Sequence, residues 1–233
     1  VEHIEGDLAE KWESNSDGTV WTFNLKKGVK WQGGYGELTS ADVKWSFERV
    51  MNPNTGSPWK SDYDNVKSIE APDPYTVVFN LKQPDPAFLL KVINYHGGNI
   101  VKKEAIEAAG DGFMTKPVGT GPYMLEEYKS NDRIVLAANP DYFRGKPKMD
   151  KIVFHIMKDP TAVEVAMDKG EIDLAGGVAD KLWLEKRKAN QDLAFDLPTP
   201  RLFWALYLNT SKKPFDDIRV RQAIEYAIDA KTL

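Results

Sequence analysis

Strand-like and helix-like patterns alternate along the whole chain, and this mixture restricts the fold more than any other feature of the sequence. Residues 20–25 place Trp21, Phe23 and Leu25 on one face, an alternation typical of a half-buried strand. Residues 41–50 instead carry apolar side chains at helical spacing, directly after a capping-box pattern. The alternation predicts an α/β protein.

The remaining elements are predicted from the same two periodicities and from turn residues. Further strands are predicted at 75–81, 151–157, 172–174 and 201–208, a hairpin around residues 131–132, and helices at 87–93, 103–109, 162–169 and 220–228. Thr161 is the predicted cap of helix 162–169. With its flanking strands, this helix predicts a strand–helix–strand unit with a parallel crossover.

Composition excludes several classes of function. The chain has 233 residues, 42% of them hydrophobic, which is enough for a large core. Its formal net charge of −4 argues against nucleic acid as a partner. The longest uncharged apolar run, around residues 205–208, is too short to span a bilayer, so we expect a soluble protein. Cysteine is absent, which excludes thiolate chemistry and favours an oxidising compartment.

No pattern in the sequence predicts catalysis or a cofactor. The three histidines lack metal-ligand spacing, and the glycines at 33–36 lack the following residues of a phosphate loop. The doublets Glu126-Glu127 and Asp216-Asp217 are adjacent residues, whose side chains diverge on a strand or a helix. We therefore expect solvated carboxylates, with Asp216 and Asp217 helping to cap the last helix, and predict no catalytic residue, metal ligand or cofactor.

Aromatic residues are the unusual component, with seven Trp, nine Tyr and ten Phe. Most are expected to lie in the core. Trp59, however, lies in a polar loop, and Trp204 follows Arg201 at the head of a predicted strand. Aromatic side chains at such positions are typical of a cleft for a small molecule or peptide.

A series of short motifs occurs in the order found in a known protein family. One piece is Val118-Gly119-Thr120-Gly121-Pro122-Tyr123, and others lie at 8–13, 22–31, 38–43, 46–49, 69–73, 139–143, 146–152, 170–173 and 214–224. Over essentially the whole chain, these motifs resemble the bacterial extracellular solute-binding proteins of family 5. The glycine-rich loop 32–37 departs from the short Asp-Gly turn of that family. It alters either the rim of the cleft or, as we expect, only the surface.

The resemblance implies a lobe of the periplasmic-binding-protein type (type II) with an inserted subdomain. Residues 1–40 and 118–210 would form the sheet of lobe I and its hinge-proximal strand, with the subdomain at 41–117. Residues 211–233 would begin the first helix of lobe II. Family members are considerably longer, so the resemblance also implies that the second lobe is missing.

The resemblance further implies a substrate-binding component of an ABC importer. Such a protein captures an oligopeptide or dipeptide outside the cytoplasmic membrane and delivers it to the permease. The implied location is periplasmic or extracellular, with a lipid anchor in a Gram-positive source. No insertion of this chain into the membrane is expected.

Motif alignment also implies a set of ligand contacts. Trp59 matches a cleft position of nickel-type members, the loop around residues 95–99 lies in another cleft-facing segment, and the strand from residue 201 passes the hinge. Aromatic side chains would supply apolar walls, and Arg201 would meet a carboxylate. The implied ligand-binding residues are Trp59, Tyr95, His96, Asn99, Arg201, Phe203 and Trp204.

Two kinds of alternative stay open. The same receptor fold binds a nickel chelate, an opine or an oligosaccharide in other members of the resembled family. His96 alone offers too little to a metal, so peptide leads. An alternative of another class is an extracytoplasmic hydrolase whose catalytic acids lie in the missing half.

Overall fold

A computed structural model describes residues 4–94, 97–177, 180–196 and 205–229. The chain divides into two units, Val1–Glu171 and Ile172–Leu233. Within the described residues, no helix has both the length and the apolar character needed to cross a membrane.

The first unit contains a four-stranded antiparallel sheet. Its strands are β1 (Ala9–Ser14), β2 (Val20–Leu25), β3 (Val66–Asp73) and β4 (Thr76–Leu81), in the order β1-β2-β4-β3. The predicted strands at 20–25 and 75–81 are confirmed. They pair directly, and their buried residues alternate along each strand as the pattern predicted.

Helix α1 (Ser40–Met51) packs against β3 and β4. The capping box is present as predicted, with Thr39 as the N-cap and Asp42 as its reciprocal partner. Val43 and Phe47 point into the core and are almost fully buried. Two shorter helices follow, α2 (Phe88–Val92) and α3 (Lys103–Ala109), as the sequence predicted.

A second antiparallel sheet consists of β5 (Tyr123–Lys129), β6 (Arg133–Ala138) and β7 (Lys151–His155). The predicted hairpin is confirmed, and Asn131 adopts the left-handed conformation in its turn. Glu126 pairs with Lys151, while Glu127 pairs with Arg133. The two carboxylates therefore form separate ion pairs and do not converge on one point.

Helix α4 (Pro160–Asp168) completes the first unit. Its N-cap is Asp159 and not Thr161, because the Asp159 carboxylate accepts the Thr161 backbone N–H at 2.9 Å. Proline at the first helical position moves the start of the helix upstream of the predicted one. The hydrophobic pattern placed the helix correctly but not its cap.

The structure corrects two predictions about strands. Residues 172–174 form no strand, so the predicted parallel crossover is wrong, and every described strand pair is antiparallel. Among the strands that the structure describes, the expectation that residues 1–40 share a sheet with 118–210 is also wrong. Strand β2 pairs with β4, from the segment predicted as an inserted subdomain, because their apolar residues share one core. The domain boundaries themselves stay a prediction.

The second unit contains α5 (Lys181–Lys188) and α6 (Ile218–Ala227). Asp217 caps α6, as predicted, by accepting the Arg219 backbone N–H at 2.9 Å. Of the strand predicted at 201–208, residues 205–208 are described and are not in a strand. Residues 201–204 lie outside the described part of the chain.

Candidate functional site

A cavity of about 590 Å³ lies beside the part of the first sheet formed by β1 and β2. Its wall is largely apolar and comes from the sheet, from α1 and α2, and from the first described residues of the chain. Asn99 and Thr120 bring polar groups to it from two loops, and Glu5, Asp7 and Asn94 also line it. Volumes of this size and walls of this character are typical of sites for small ligands.

The loop 97–100 forms one side of this cavity. Gly97 lies against the Tyr63 ring, so close that a Cβ there would stand 2.9 Å from the ring and 3.4 Å from the Trp59 Cβ. The Gly98 N–H donates to the Asn94 carbonyl at 2.8 Å. Glycine is required at 97 and 98 because neighbouring groups occupy the space of a side chain.

The same loop is fastened to α1 at its far end. The Ser46 hydroxyl accepts the Val101 N–H at 3.0 Å and lies 3.1 Å from the Val101 carbonyl. Lys102 then donates to the Asp42 carboxylate at 2.8 Å, where both side chains are largely buried. These bonds hold the 97–100 loop at a defined distance from the core helix.

The Tyr63 ring packs against the 97–100 loop at Gly97. Its ring is buried against Phe47, and its hydroxyl donates to the Lys91 carbonyl at 3.0 Å. Burial, with a smaller contribution from the Asp62 charge, raises the pKa of Tyr63 to about 12. The phenol therefore stays neutral near pH 7 and acts as a support, not as an acid or base.

Two of the predicted ligand-binding residues lie in the described part of the chain, and of these Asn99 lines the cavity whereas Trp59 does not. Trp59 is 39% exposed and lies next to the 97–100 loop through Gly97, while Asn99 lines the cavity itself. The other five lie outside the described residues: Tyr95, His96, Arg201, Phe203 and Trp204. Among the described residues, no group of three or more His, Cys, Asp or Glu is placed to hold a metal ion.

The sequence did not predict the second polar loop, residues 118–122, as part of a site. Its motif indicated only a glycine-punctuated turn. In the structure Thr120 lines the cavity, and the flanking Gly119 and Gly121 are hydrogen-bonded to Gln32. Gln32 belongs to the glycine-rich loop that we expected to affect only the surface. No local signal could have shown a contact between segments so far apart in sequence.

We expect Gly98→Ala to disturb the 97–100 loop specifically. A Cβ at Gly98 would lie 2.6 Å from the Asn94 carbonyl oxygen and closer still to that of Val92, so the backbone has to move. The expected loss of stability is about 1–3 kcal/mol. Thermal unfolding and hydrogen exchange of the loop amides would measure it.

Gly112→Ala is the matched control, because nothing lies within 4 Å of the Cβ it would add. Its stability and exchange rates should match the unsubstituted chain. Equal behaviour of the two alanine variants would show that close packing does not shape this loop.

The chain matches the family described as bacterial extracellular solute-binding proteins, family 5 Middle, over residues 3–233. It is 34% identical over 232 residues to the probable D,D-dipeptide-binding periplasmic protein DdpA of Escherichia coli K12. That match covers 97% of this chain and 44% of DdpA.

Two solved structures share the fold. MoaA of A. tumefaciens R10, in complex with mannopinic acid, superposes with a TM-score of 0.86 at 40% identity, covering 98% of this chain and 46% of MoaA. NikZ of Campylobacter jejuni, in complex with Ni(L-His), superposes with a TM-score of 0.84 at 28% identity, covering 97% and 45%. The predicted α/β fold of the periplasmic-binding-protein type is confirmed, and the chain spans less than half the length of these proteins. The chain belongs to the bacterial extracellular solute-binding proteins of family 5.

Proposed function

We propose that the protein is the substrate-binding component of an ABC importer, which captures a dipeptide or oligopeptide outside the cytoplasmic membrane and delivers it to the permease. The observation that carries this proposal is the cavity of about 590 Å³, whose largely apolar wall also includes polar residues, among them the acidic Glu5 and Asp7. Such a wall suits a peptide, whose side chains are often apolar and whose backbone needs hydrogen bonds. The name of the relative DdpA supports a dipeptide and a periplasmic location.

The proposed role is binding, not catalysis. Asn99 would hydrogen-bond the peptide backbone, and Trp59 would cover an apolar side chain beside the loop. The predicted contacts Tyr95, His96, Phe203 and Trp204 remain part of the proposal, and Arg201 would meet the carboxylate. Closure of a second lobe over the ligand would complete the site, provided that the ligand contacts both lobes.

Mannopinic acid is a second candidate ligand. The specific observation in its favour is the 40% identity to MoaA, which exceeds the 34% identity to DdpA. A direct comparison of binding by L-alanyl-L-alanine, D-alanyl-D-alanine, mannopinic acid and the nickel–histidine complex separates these candidates. Nuclear magnetic resonance titration at millimolar ligand detects the weak binding that we expect from a single lobe.

We expect the dipeptides to shift the amide signals of residues 97–100, and to be recovered unchanged after incubation. If these amide signals shift only with mannopinic acid or with the nickel complex, that compound is the ligand and the peptide is not. Cleavage of the dipeptide would support the hydrolase alternative. A chain that responds to none of the four compounds would contradict the proposed function.

Trp59→Ala should weaken dipeptide binding by roughly 3- to 10-fold, because an aromatic side chain next to a ligand contributes on the order of 1 kcal/mol. Tyr128→Ala is the matched control, since Tyr128 is a similarly exposed aromatic residue on the other sheet. Dissociation constants from the same titration measure both. Equal dissociation constants for the two variants would show that Trp59 does not contact the ligand.

A further inference from the structure

Thr120 is a polar residue of the cavity wall that is not among the predicted ligand contacts. Thr120 is half-buried and lines the cavity, whose wall also includes the acidic residues Glu5 and Asp7. Within the described residues its hydroxyl makes no hydrogen bond. Because Thr120 is only half-buried, water can reach this hydroxyl, and a ligand group that hydrogen-bonds can take the place of that water.

Hydrogen bonds from Gln32 hold the turn that carries Thr120. The Gln32 side-chain amide donates to the carbonyls of Gly121 at 3.1 Å and Tyr123 at 3.0 Å, and accepts the Gly119 N–H at 3.3 Å. The Gln32 backbone N–H also donates to the Gly119 carbonyl at 2.9 Å. One residue thus bonds the chain on both sides of Thr120.

Asn139 holds the same turn from the other direction. Its side-chain amide donates to the Gly121 carbonyl at 2.9 Å, and its backbone N–H donates to the Pro122 carbonyl at 2.8 Å. Asn139 is itself buried, with 3% of its surface exposed. Two glycines flank Thr120 and would otherwise leave its backbone free to move, so these bonds hold the backbone segment that places Thr120 in the cavity wall.

We propose that the Thr120 hydroxyl is a binding contact that hydrogen-bonds the backbone of a bound peptide, and that Gln32 is the residue that positions it. A hydroxyl both donates and accepts, so it matches either a peptide N–H or a peptide carbonyl. This inference rests on the proposed function and adds a contact that the motif alignment did not include.

The direct test is titration with L-alanyl-L-alanine, followed through the threonine methyl signals. The Thr120 signal should shift, and Thr120→Val, which keeps the shape but removes the hydroxyl, should weaken binding roughly 3- to 10-fold. Thr120→Ser, which keeps the hydroxyl, should bind like the unsubstituted chain. Thr55→Val is the control, because Thr55 is also half-buried but does not line the cavity.

The role of Gln32 needs a readout that general destabilisation does not move. Gln32→Met removes the amide and should weaken dipeptide binding by a similar factor. In the Thr120→Val background the same change should have little further effect, because the group that Gln32 positions is already gone. Losses that add in the double variant would show that Gln32 acts only on the fold.

The outcomes separate this inference from the proposed function. Binding of the dipeptide with no effect of Thr120→Val would overturn the Thr120 contact and leave the function intact. No binding of the dipeptide to the unsubstituted chain would overturn both. A loss in Thr120→Ser as large as that in Thr120→Val would assign the effect to packing of the methyl group and would also overturn the contact.

Discussion

Phe79→Ala is expected to lower the free energy of unfolding of the first unit by about 3–5 kcal/mol. Phe79 lies on β4 and is only 1% exposed. Its ring packs edge-on against Phe23, Phe47 and Phe88, with centroid distances of 5.7, 5.1 and 5.3 Å. One substitution therefore removes three aromatic contacts at once and leaves a cavity between the sheet and two helices.

Urea-induced unfolding measures this loss, and hydrogen exchange of the β2 and β4 amides assigns it to the sheet. Phe154→Ala is the matched control, since Phe154 also lies on a strand but is 53% exposed. Its effect should stay near 0.5 kcal/mol. Similar losses in both variants would mean that this aromatic cluster is not the core of the unit.

The elements predicted correctly are those whose signals are local. Helix α1 has its cap, its apolar face and its terminating proline within one short segment, so the sequence alone defined it. Strand β3 has no clean alternation, because a register shift between Val66 and Ser68 puts the buried Val66 and Ile69 three residues apart. A β-bulge thus hides the strand from any search for a two-residue period.

The candidate site was only partly predictable for a related reason. Trp59 stood out because no apolar pattern accounts for an aromatic residue in its polar loop. Gln32 and Asp42 did not stand out as parts of a site, because their partners lie in distant segments. Only the folded chain shows that Gln32 reaches the turn around Thr120 and that Asp42 reaches Lys102.

The ion pair between Asp42 and Lys102 is the second place where one substitution should have a large effect. The two side chains are 7% and 14% exposed, and their charged atoms lie 2.8 Å apart. The Asp42 carboxylate also accepts hydrogen bonds from the Thr39 backbone N–H at 2.9 Å and the Trp31 indole at 3.3 Å. The pair thus joins the start of α1 to the segment just after the 97–100 loop.

Asp42→Asn should destabilise the first unit by about 3 kcal/mol, because it removes the buried counter-charge of the Lys102 ammonium and leaves only the exposed Glu104 carboxylate at 3.4 Å. The asparagine oxygen can still accept from Thr39, so the helix cap is kept. Asp64→Asn is the control, since its pair with Lys60 is exposed and should contribute less than about 1 kcal/mol.

The dependence of this loss on salt and pH distinguishes a buried ion pair from a surface one. Burial acts to lower the pKa of Lys102, but the hydrogen bond and charge of Asp42, with Glu104, outweigh it and raise the pKa above its ordinary value of 10.5. When folding raises the pKa of a cationic group, that group stabilises the fold fully at any pH below its pKa in the unfolded chain. The contribution is lost only as the pH rises through its pKa in the folded chain. The effect of Asp42→Asn should therefore be constant from pH 7 to 9 and little changed by 1 M salt.

A double-mutant cycle measures the coupling energy between Asp42 and Lys102. Lys102→Met alone should also be destabilising, whereas the double variant with Asp42→Asn should lose about 0.5–3 kcal/mol less than the sum of the single variants. Because Lys102 directly follows the segment that Ser46 holds, Asp42→Asn should also speed hydrogen exchange at residues 97–101 and weaken dipeptide binding. Additive losses, or a loop whose exchange does not change, would mean that the pair stabilises α1 without positioning the site.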